Sequence, residues 1–311
     1  MFFGIFSNLS PFAKVIFSLF IIFLSLLFTL MIGTIIAIPI FGINFFTNPE
    51  ILSDIKNPDY IPFFKYFQIV QSVGIFIIPP LIAAKLFNNN KTENYYRFDI
   101  NPGYIIILLT LIVMFTIQPL INLLIEINNK MVFPESLKNI ETWMKQSEQN
   151  ATELSNSFLI MKSTGAFILN IFMMAIIPAI GEELLFRGLF QRLLKEWTGN
   201  IHLSIIITAI AFSAMHLQFY GFIPRCLLGA LFGYLLLWTG SIWVPIFAHF
   251  INNATAVIIS YLSQRGIVDE SYESFGNFGN NYIAIILSVI VTVIILYYIF
   301  KHREVSSIEI E

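Results

Sequence analysis

The feature of this sequence that most constrains its fold is a series of long apolar runs. Residues 15–40 are interrupted only by scattered Ser and Thr, and residues 104–125 and 282–300 carry no charge. Each run reaches or exceeds the ~18–20 residues that a helix needs to cross a hydrocarbon layer of ~30 Å. Only 12% of the 311 residues are charged, whereas a soluble domain carries about 25%. The sequence therefore predicts an all-α, polytopic membrane protein.

Turns rich in Gly, Pro and Asn divide the chain into about eight candidate transmembrane helices. We expect them at residues 14–40, 63–87, 103–127, 165–187, 201–219, 222–238, 241–262 and 281–300. The first run is too long for the core of a signal peptide, so we expect it to be retained. The polar segment 129–157 is expected to be an exposed helix or loop. The short joint 239–241 forces the spans beside it into an antiparallel hairpin. Residues 1–311 are expected to form a single membrane domain with a catalytic core at 165–262.

The fourth span contains three charged residues, Glu182, Glu183 and Arg187. Each charge at mid-bilayer costs about 2.5–3.5 kcal/mol on insertion scales, so these side chains must face protein or water. Glu183 and Arg187 are four residues apart and can form an ion pair on one helix face. Glu182 lies about 100° around the helix and lacks that partner. All three could serve structure alone, but Glu182 is the best candidate for chemistry.

Histidines occur in two further spans. Phe212 and His216 share a face of the fifth span, and His249 and Asn253 lie one turn apart in the seventh. A single intramembrane His is often only an interhelical hydrogen-bonding group. Two of them near an unpaired Glu favour a functional site.

The turn at Gly199 allows the depth of these residues to be compared. Glu182 and His216 are both seventeen residues from Gly199, so antiparallel helices would place them at one depth. Pro178 and Pro245 each precede a candidate site residue by four positions, and we expect them to kink or loosen their helices. Simple packing kinks are an equal alternative, because Pro is frequent in membrane helices.

These residue types can activate water. Glu with His can take a proton from water, while a second His and an Asn can donate hydrogen bonds to an oxyanion. Alternatively, one Glu and two His could hold Zn²⁺ with an open position for water. Neither a serine elbow nor an HExxH motif is present in the sequence. The predicted catalytic residues are Glu182, His216, His249 and Asn253, supported by Glu183, Arg187 and Phe212; the zinc ligands in the alternative are Glu182, His216 and His249.

Three motifs carry a resemblance to a known family. The sequence contains Glu182-Glu183-x-x-x-Arg187 followed by Gly188, then Phe212-x-x-x-His216, then Trp243-Val244-Pro245 leading into His249-x-x-x-Asn253. In order and spacing they resemble the CAAX prenyl endopeptidase and bacteriocin-processing (CPBP) family of intramembrane proteases. The resemblance covers about residues 165–260, and the three motifs together are specific.

The resemblance implies an eight-helix fold that cleaves a peptide bond of a membrane-associated substrate. It implies Glu182 as base with His216, and His249 with Asn253 as oxyanion stabilisers. Such proteins have been described both as metalloproteases and as metal-independent glutamate proteases. We expect no required cofactor, with Zn²⁺ as the alternative. Many bacterial relatives act in peptide processing or bacteriocin immunity, so a bacterial plasma (inner) membrane is expected and prenylation of the substrate stays open.

Other partners and classes are weaker interpretations. The sequence contains no basic patch that would indicate nucleic acid, and the expected partners are the lipid bilayer and a peptide or protein substrate. A transporter would favour inverted repeats, which the sequence does not show. A non-catalytic scaffold or bacteriocin-immunity protein of the same fold is the more serious alternative, and absence of turnover would distinguish it.

An even number of spans places both termini on one side of the membrane. The distribution of Lys and Arg favours a cytoplasmic N-terminus once the long segment 129–157 is discounted. Reporter fusions after Ser7 and Ile308 should therefore both report the cytoplasmic side. Fusions that report opposite sides would show an odd number of crossings.

Overall fold

The computed structural model of the protein describes residues 4–42, 51, 54, 57–88, 92–131, 133–268 and 281–302. Within these ranges every regular element is helical and no strand occurs. A helix satisfies its backbone polar groups internally, which the hydrocarbon layer demands of any segment that crosses it. The all-α prediction is confirmed. Ile308, the second fusion point of the topology test, lies outside the described residues.

Nine long helices follow one another along the described chain. They are α1 (Pro11–Phe41), α2 (Pro58–Phe87), α3 (Tyr104–Asn129), α4 (Lys138–Leu159), α5 (Thr164–Thr198), α6 (Ile201–Met215), α7 (Phe222–Thr239), α8 (Trp243–Gln264) and α9 (Tyr282–Lys301). The polar helix α4 occupies the segment expected to be exposed. Helices α1 and α9 lie at the periphery, because only 17% of the residues in the most apolar 18-residue stretch of each helix are buried in the protein.

Seven of the described helices are long and apolar enough to cross a membrane, which makes the chain a multi-pass integral membrane protein. The exception among the eight predicted spans is α6, whose helix ends at Met215 after 15 residues. At 1.5 Å per residue it is roughly 22 Å long. The prediction of about eight spans corresponds to seven full-length helices and one short one.

Caps at the turns fix where these helices begin and end. Asn200 accepts a hydrogen bond from the backbone N–H of Leu203 and so starts α6. Gly199 and Gly240 follow the last residues of α5 and α7 with φ of 67° and 68°, a left-handed conformation that favours glycine. Gly240 lies in the predicted joint 239–241, and the predicted hairpin of α7 and α8 is confirmed.

The central helix α5 is not uniformly α-helical. Two π-helical segments, Ile171–Ile176 and Leu184–Phe190, flank the α-helical turn Ile177–Glu183 that carries the two glutamates. Pro178 has no N–H, so it cannot donate to the carbonyl of Met174 four residues earlier. The predicted loosening at Pro178 is confirmed, and π-helical turns are frequent at functional sites.

The corresponding expectation for Pro245 is wrong. Helix α8 begins at Trp243, so Pro245 lies in its first turn. The N–H groups of a first turn have no intrahelical acceptor, and a proline there removes no helical hydrogen bond. The sequence did not show that α8 begins at Trp243, only two residues before Pro245.

Small residues allow α5 to approach its neighbours closely. A Cβ atom added at Gly181 would lie 2.7 Å from Phe76 Cβ on α2. On α7, a Cβ at Gly233 would lie 2.7 Å from Oε1 of Gln191, and one at Gly229 3.2 Å from Ala209 Cα. The spacing of these two glycines is typical of close helix packing in membranes. Polar side chains of α5 can therefore reach backbone carbonyls of α7.

Candidate active site

The centre of the site is the carboxylate of Glu183, which is 0% exposed. Its Oε1 atom accepts a hydrogen bond from Arg187 Nη1 at 2.8 Å and another from His249 Nδ1 at 2.8 Å. The first contact is the ion pair predicted from the i,i+4 spacing. The second joins α5 to α8, and it was not predicted because helical spacing identifies only neighbours on the same helix.

Arg187 is also buried, at 1% exposure. Its Nη2 atom donates to the carbonyl of Gly229 at 3.0 Å. The guanidinium carbon lies 4.6 Å and 5.3 Å from the ring centroids of Phe212 and Phe232. A carboxylate, a carbonyl and two ring faces together compensate a charge that would otherwise be very unfavourable in this interior.

Glu182 faces the protein interior rather than lipid. It is 8% exposed, and its Oε2 atom has no hydrogen-bond partner in the part of the chain that the structure describes. The same atom lies 3.9 Å from His249 Nε2. This separation is too long for a hydrogen bond but is one that a single water can bridge. The structure thus brings together Glu182 and His249.

The hydrogen bond to Glu183 determines the tautomer of His249. An ionised carboxylate only accepts, so Nδ1 carries the proton and Nε2 faces Glu182. In the neutral ring Nε2 is an acceptor, and it becomes a donor only when the ring is protonated. The ring stacks on Phe232 with a centroid separation of 5.4 Å and meets Phe212 edge-on at 5.9 Å. These contacts hold the imidazole in one orientation.

His216 lies immediately after the last residue of α6. Its Nδ1 atom is 2.9 Å from the carbonyl of Phe212, so Nδ1 donates and Nε2 is left as an acceptor in the neutral ring. The Phe212 ring is 5.1 Å from the ring of His216 and also contacts His249. Phe212 therefore packs against both histidines. The following residue, Leu217, has φ of 51°, which non-glycine residues seldom adopt.

Asn253 lies against the backbone of α5. Its Nδ2 atom donates to the carbonyl of Met174 at 3.2 Å, and its Oδ1 accepts from Asn252. The Met174 carbonyl is the one to which Pro178 cannot donate. Asn253 thus supplies this carbonyl of α5 with a hydrogen bond and keeps one amide N–H for another acceptor.

The predicted zinc ligands do not converge on one point. Among the described residues, no three His, Cys, Asp or Glu side chains lie close enough together to hold a metal ion. A catalytic zinc site normally has three protein ligands, whereas the structure pairs only Glu182 with His249. We therefore assign no step to a metal, and metal independence remains a prediction.

The sequence interpretation missed three contributions to the site. Phe232, the Gly229 carbonyl and the Glu183–His249 hydrogen bond all depend on how separate helices pack, and no local pattern identifies them. The Asn253–Met174 contact did have a signal. A proline inside a membrane helix leaves a carbonyl that needs a donor from elsewhere.

Comparison with known proteins identifies the same region. Residues 164–255 match the family model described as Type II CAAX prenyl endopeptidase Rce1-like, which confirms the resemblance over that part of the chain. The chain is 30% identical over 118 residues to the Putative membrane peptidase YdiL of Bacillus subtilis (strain 168), covering 38% of this chain and 48% of the relative. It is 32% identical over 89 residues to the Uncharacterized protein YpbD of the same organism, covering 27% and 42% respectively.

The chain therefore spans about half or less of the length of these curated relatives. No solved structure matches it significantly.

Replacing Glu183 tests whether the buried carboxylate holds the site together. Glu183→Ala leaves Arg187 without its counter-ion and His249 Nδ1 without an acceptor, and breaking a buried pair in this way costs about 3–5 kcal/mol. We expect a lower yield and a lower melting temperature in detergent. The matched control is Glu126→Ala, which removes an exposed i,i+4 pair with Lys130 worth about 0–1 kcal/mol. Equal melting temperatures for the two variants would contradict the assignment.

Proposed function

Because residues 164–255 are related to type II CAAX prenyl endopeptidases, we propose that this protein is an intramembrane endopeptidase that cleaves a membrane-associated peptide by Glu- and His-activated water. The observation that carries the proposal is the Oε2 atom of Glu182. It is buried, has no hydrogen-bond partner among the described residues, and faces His249 Nε2 at 3.9 Å. Unsatisfied buried carboxylate oxygens are rare unless they serve a reaction or bind water.

In this proposal a water molecule lies between Glu182 and His249. The ionised carboxylate of Glu182 accepts a proton as the water oxygen attacks the carbonyl carbon of the scissile bond. The same proton then passes to the departing amine nitrogen when the carbon–nitrogen bond breaks. Glu182 returns to its ionised form, and the products are an amine and a carboxylic acid, which releases the second proton of the water when it ionises. His216, whose Nε2 atom is an acceptor, would orient the water.

The oxyanion formed by this attack needs hydrogen-bond donors. His249 donates from Nε2 only as an imidazolium, with Nδ1 held by Glu183. The free amide N–H of Asn253 would be a second donor. Removing one such donor typically lowers kcat by ~10²–10³.

The substrate class follows from the location of the site. Glu182, His216 and His249 lie on α5, at the end of α6 and on α8, so the peptide must reach a site among membrane helices. We propose that the protein acts as a CAAX-protease-like enzyme. Its substrate would be a peptide or protein already associated with the bilayer. A scaffold or bacteriocin-immunity protein of the same fold would have these helices without turnover.

Two variants test the proposed base. Glu182→Ala and His216→Ala should lower cleavage by about 10²–10⁴, the typical contribution of general-base catalysis. The yield of folded protein should be maintained, because in the described part of the chain neither side chain forms a hydrogen bond to another helix as Glu183 does with His249 on α8. Cleavage is measured by mass spectrometry of new peptide termini in membranes that contain each form of the protein. Glu135→Ala, an exposed glutamate outside the site, is the control.

The outcomes separate the two candidate functions. New termini that require the wild-type protein and disappear with Glu182→Ala, but not with Glu135→Ala, support the peptidase. Identical termini with wild-type protein and Glu182→Ala would reject the assigned base and favour the scaffold.

We further propose that catalysis needs no tightly held metal. Asn253, one turn beyond His249, is better suited to donate a hydrogen bond than to bind zinc. Cleavage should therefore survive dialysis against a strong chelator, and elemental analysis of the active protein should find well under one zinc per chain. Zinc that is lost and regained together with activity would overturn this proposal and give Glu182, His216 and His249 the role of ligands.

A further inference from the structure

A cavity of about 220 Å³ lies on the other side of Arg187 from Glu182. It is formed where α5 and α7 end, beside the segment that connects α2 to α3. The residues that matter for the argument are Tyr95, Arg97, Arg187, Gln191, Arg192 and Glu196. We call it the basic cavity. Its position at helix ends places it near one membrane surface, and it shares Arg187 with the candidate site.

The lining of the basic cavity has an excess of positive charge. Arg97, Arg192 and Lys195 contribute cations, and Glu196 is the acidic group of the lining. Glu196 is already shared, since it lies 3.4 Å from Arg192 Nε and 3.6 Å from Lys14 Nζ. By residue type the lining therefore contains more cationic side chains than carboxylates.

Arg97 lies in the lining of the basic cavity close to Arg192. Its Nη1 atom makes a long hydrogen bond of 3.4 Å to the carbonyl of Gly240, and no carboxylate among the described residues forms an ion pair with it. Burial, and then the nearby charge of Arg192, lower the pKa of Arg97. Its backbone has φ of 61°, a conformation that is uncommon for residues with long side chains and often occurs at binding sites.

Two buried polar atoms in the lining also lack partners. Arg187 Nε and Gln191 Oε1 make no hydrogen bond among the described residues, although these residues are only 1% and 4% exposed. One atom is a donor and the other an acceptor. The hydroxyl of Tyr95 adds a donor, because burial raises its pKa to about 12 and keeps it protonated. A ligand with anionic oxygens would complement the donors that Arg97, Arg192 and Tyr95 bring to this cavity.

We propose that the basic cavity binds the phosphate headgroup of an anionic phospholipid of the phosphatidylglycerol type. Arginine side chains are well suited to phosphate because their donors match its oxygens in pairs. The cavity lies at the ends of membrane helices, where headgroups are abundant and inorganic phosphate has no special access. This binding does not depend on whether the protein cleaves peptides.

The test uses the full-length protein in a neutral detergent. Its melting temperature is measured with increasing short-chain phosphatidylglycerol, short-chain phosphatidylcholine, or inorganic phosphate at matched ionic strength. A ligand that binds only the folded state raises the melting temperature with its concentration. We expect phosphatidylglycerol to do so at a concentration at least about tenfold below that of the other two.

Variants then locate the site. Arg97→Gln combined with Arg192→Gln should abolish the stabilisation by phosphatidylglycerol. Lys301→Gln, which removes an exposed charge at the end of α9, should leave it unchanged. If the double variant does not fold, Arg97→Gln alone should weaken the response by at least about threefold, because a single phosphate contact is lost.

Three outcomes would overturn the proposal. The first is that phosphatidylglycerol stabilises the wild-type protein no more than phosphatidylcholine. The second is a response that is the same in the Arg97 variants and in Lys301→Gln. The third is equal stabilisation by inorganic phosphate, which would make free phosphate the ligand and not a lipid.

Discussion

The structure depends on how one buried carboxylate is compensated. Glu183 accepts from Arg187 on its own helix and from His249 on α8, and Arg187 in turn donates to the carbonyl of Gly229 on α7. An unpaired charge inside a membrane protein is costly, so these three helices can pack only in the arrangement that keeps the contacts. The same contacts orient the ring of His249 toward Glu182. Stability and the geometry of the candidate site therefore have one origin.

The sequence was sufficient for features that depend on local patterns. Apolar runs predict the spans because a helix must cover the hydrocarbon layer, and the i,i+4 spacing predicts the pair of Glu183 and Arg187. The hydrogen bond between Glu183 and His249 could not be predicted, since it joins residues 66 positions apart. The helical phase of Glu182 showed that it lacks an intrahelical partner, but not which histidine it would face. The start of α8 was misjudged because Pro245 is compatible with both a kink and a first turn.

Pro178 and Asn253 link the backbone to the site. The proline has no N–H to donate within α5. The side-chain amide of Asn253 instead donates a hydrogen bond to the carbonyl of Met174. A motif residue whose predicted role is oxyanion stabilisation thus also maintains the helix that carries Glu182. Loss of activity on replacing Asn253 would not by itself separate the two roles, whereas loss of stability would indicate the structural one.

The short helix α6 also affects the lipid around it. Leu203, Ile206, Ile207 and Ile210 on this helix are exposed, so α6 contacts the bilayer directly. Its apolar length of roughly 22 Å is less than the hydrocarbon thickness of ~30 Å. A bilayer accommodates such a mismatch by thinning locally around the short helix. Such thinning would lie beside His216, which follows the last residue of α6, and would shorten the path from the membrane surface to the candidate site.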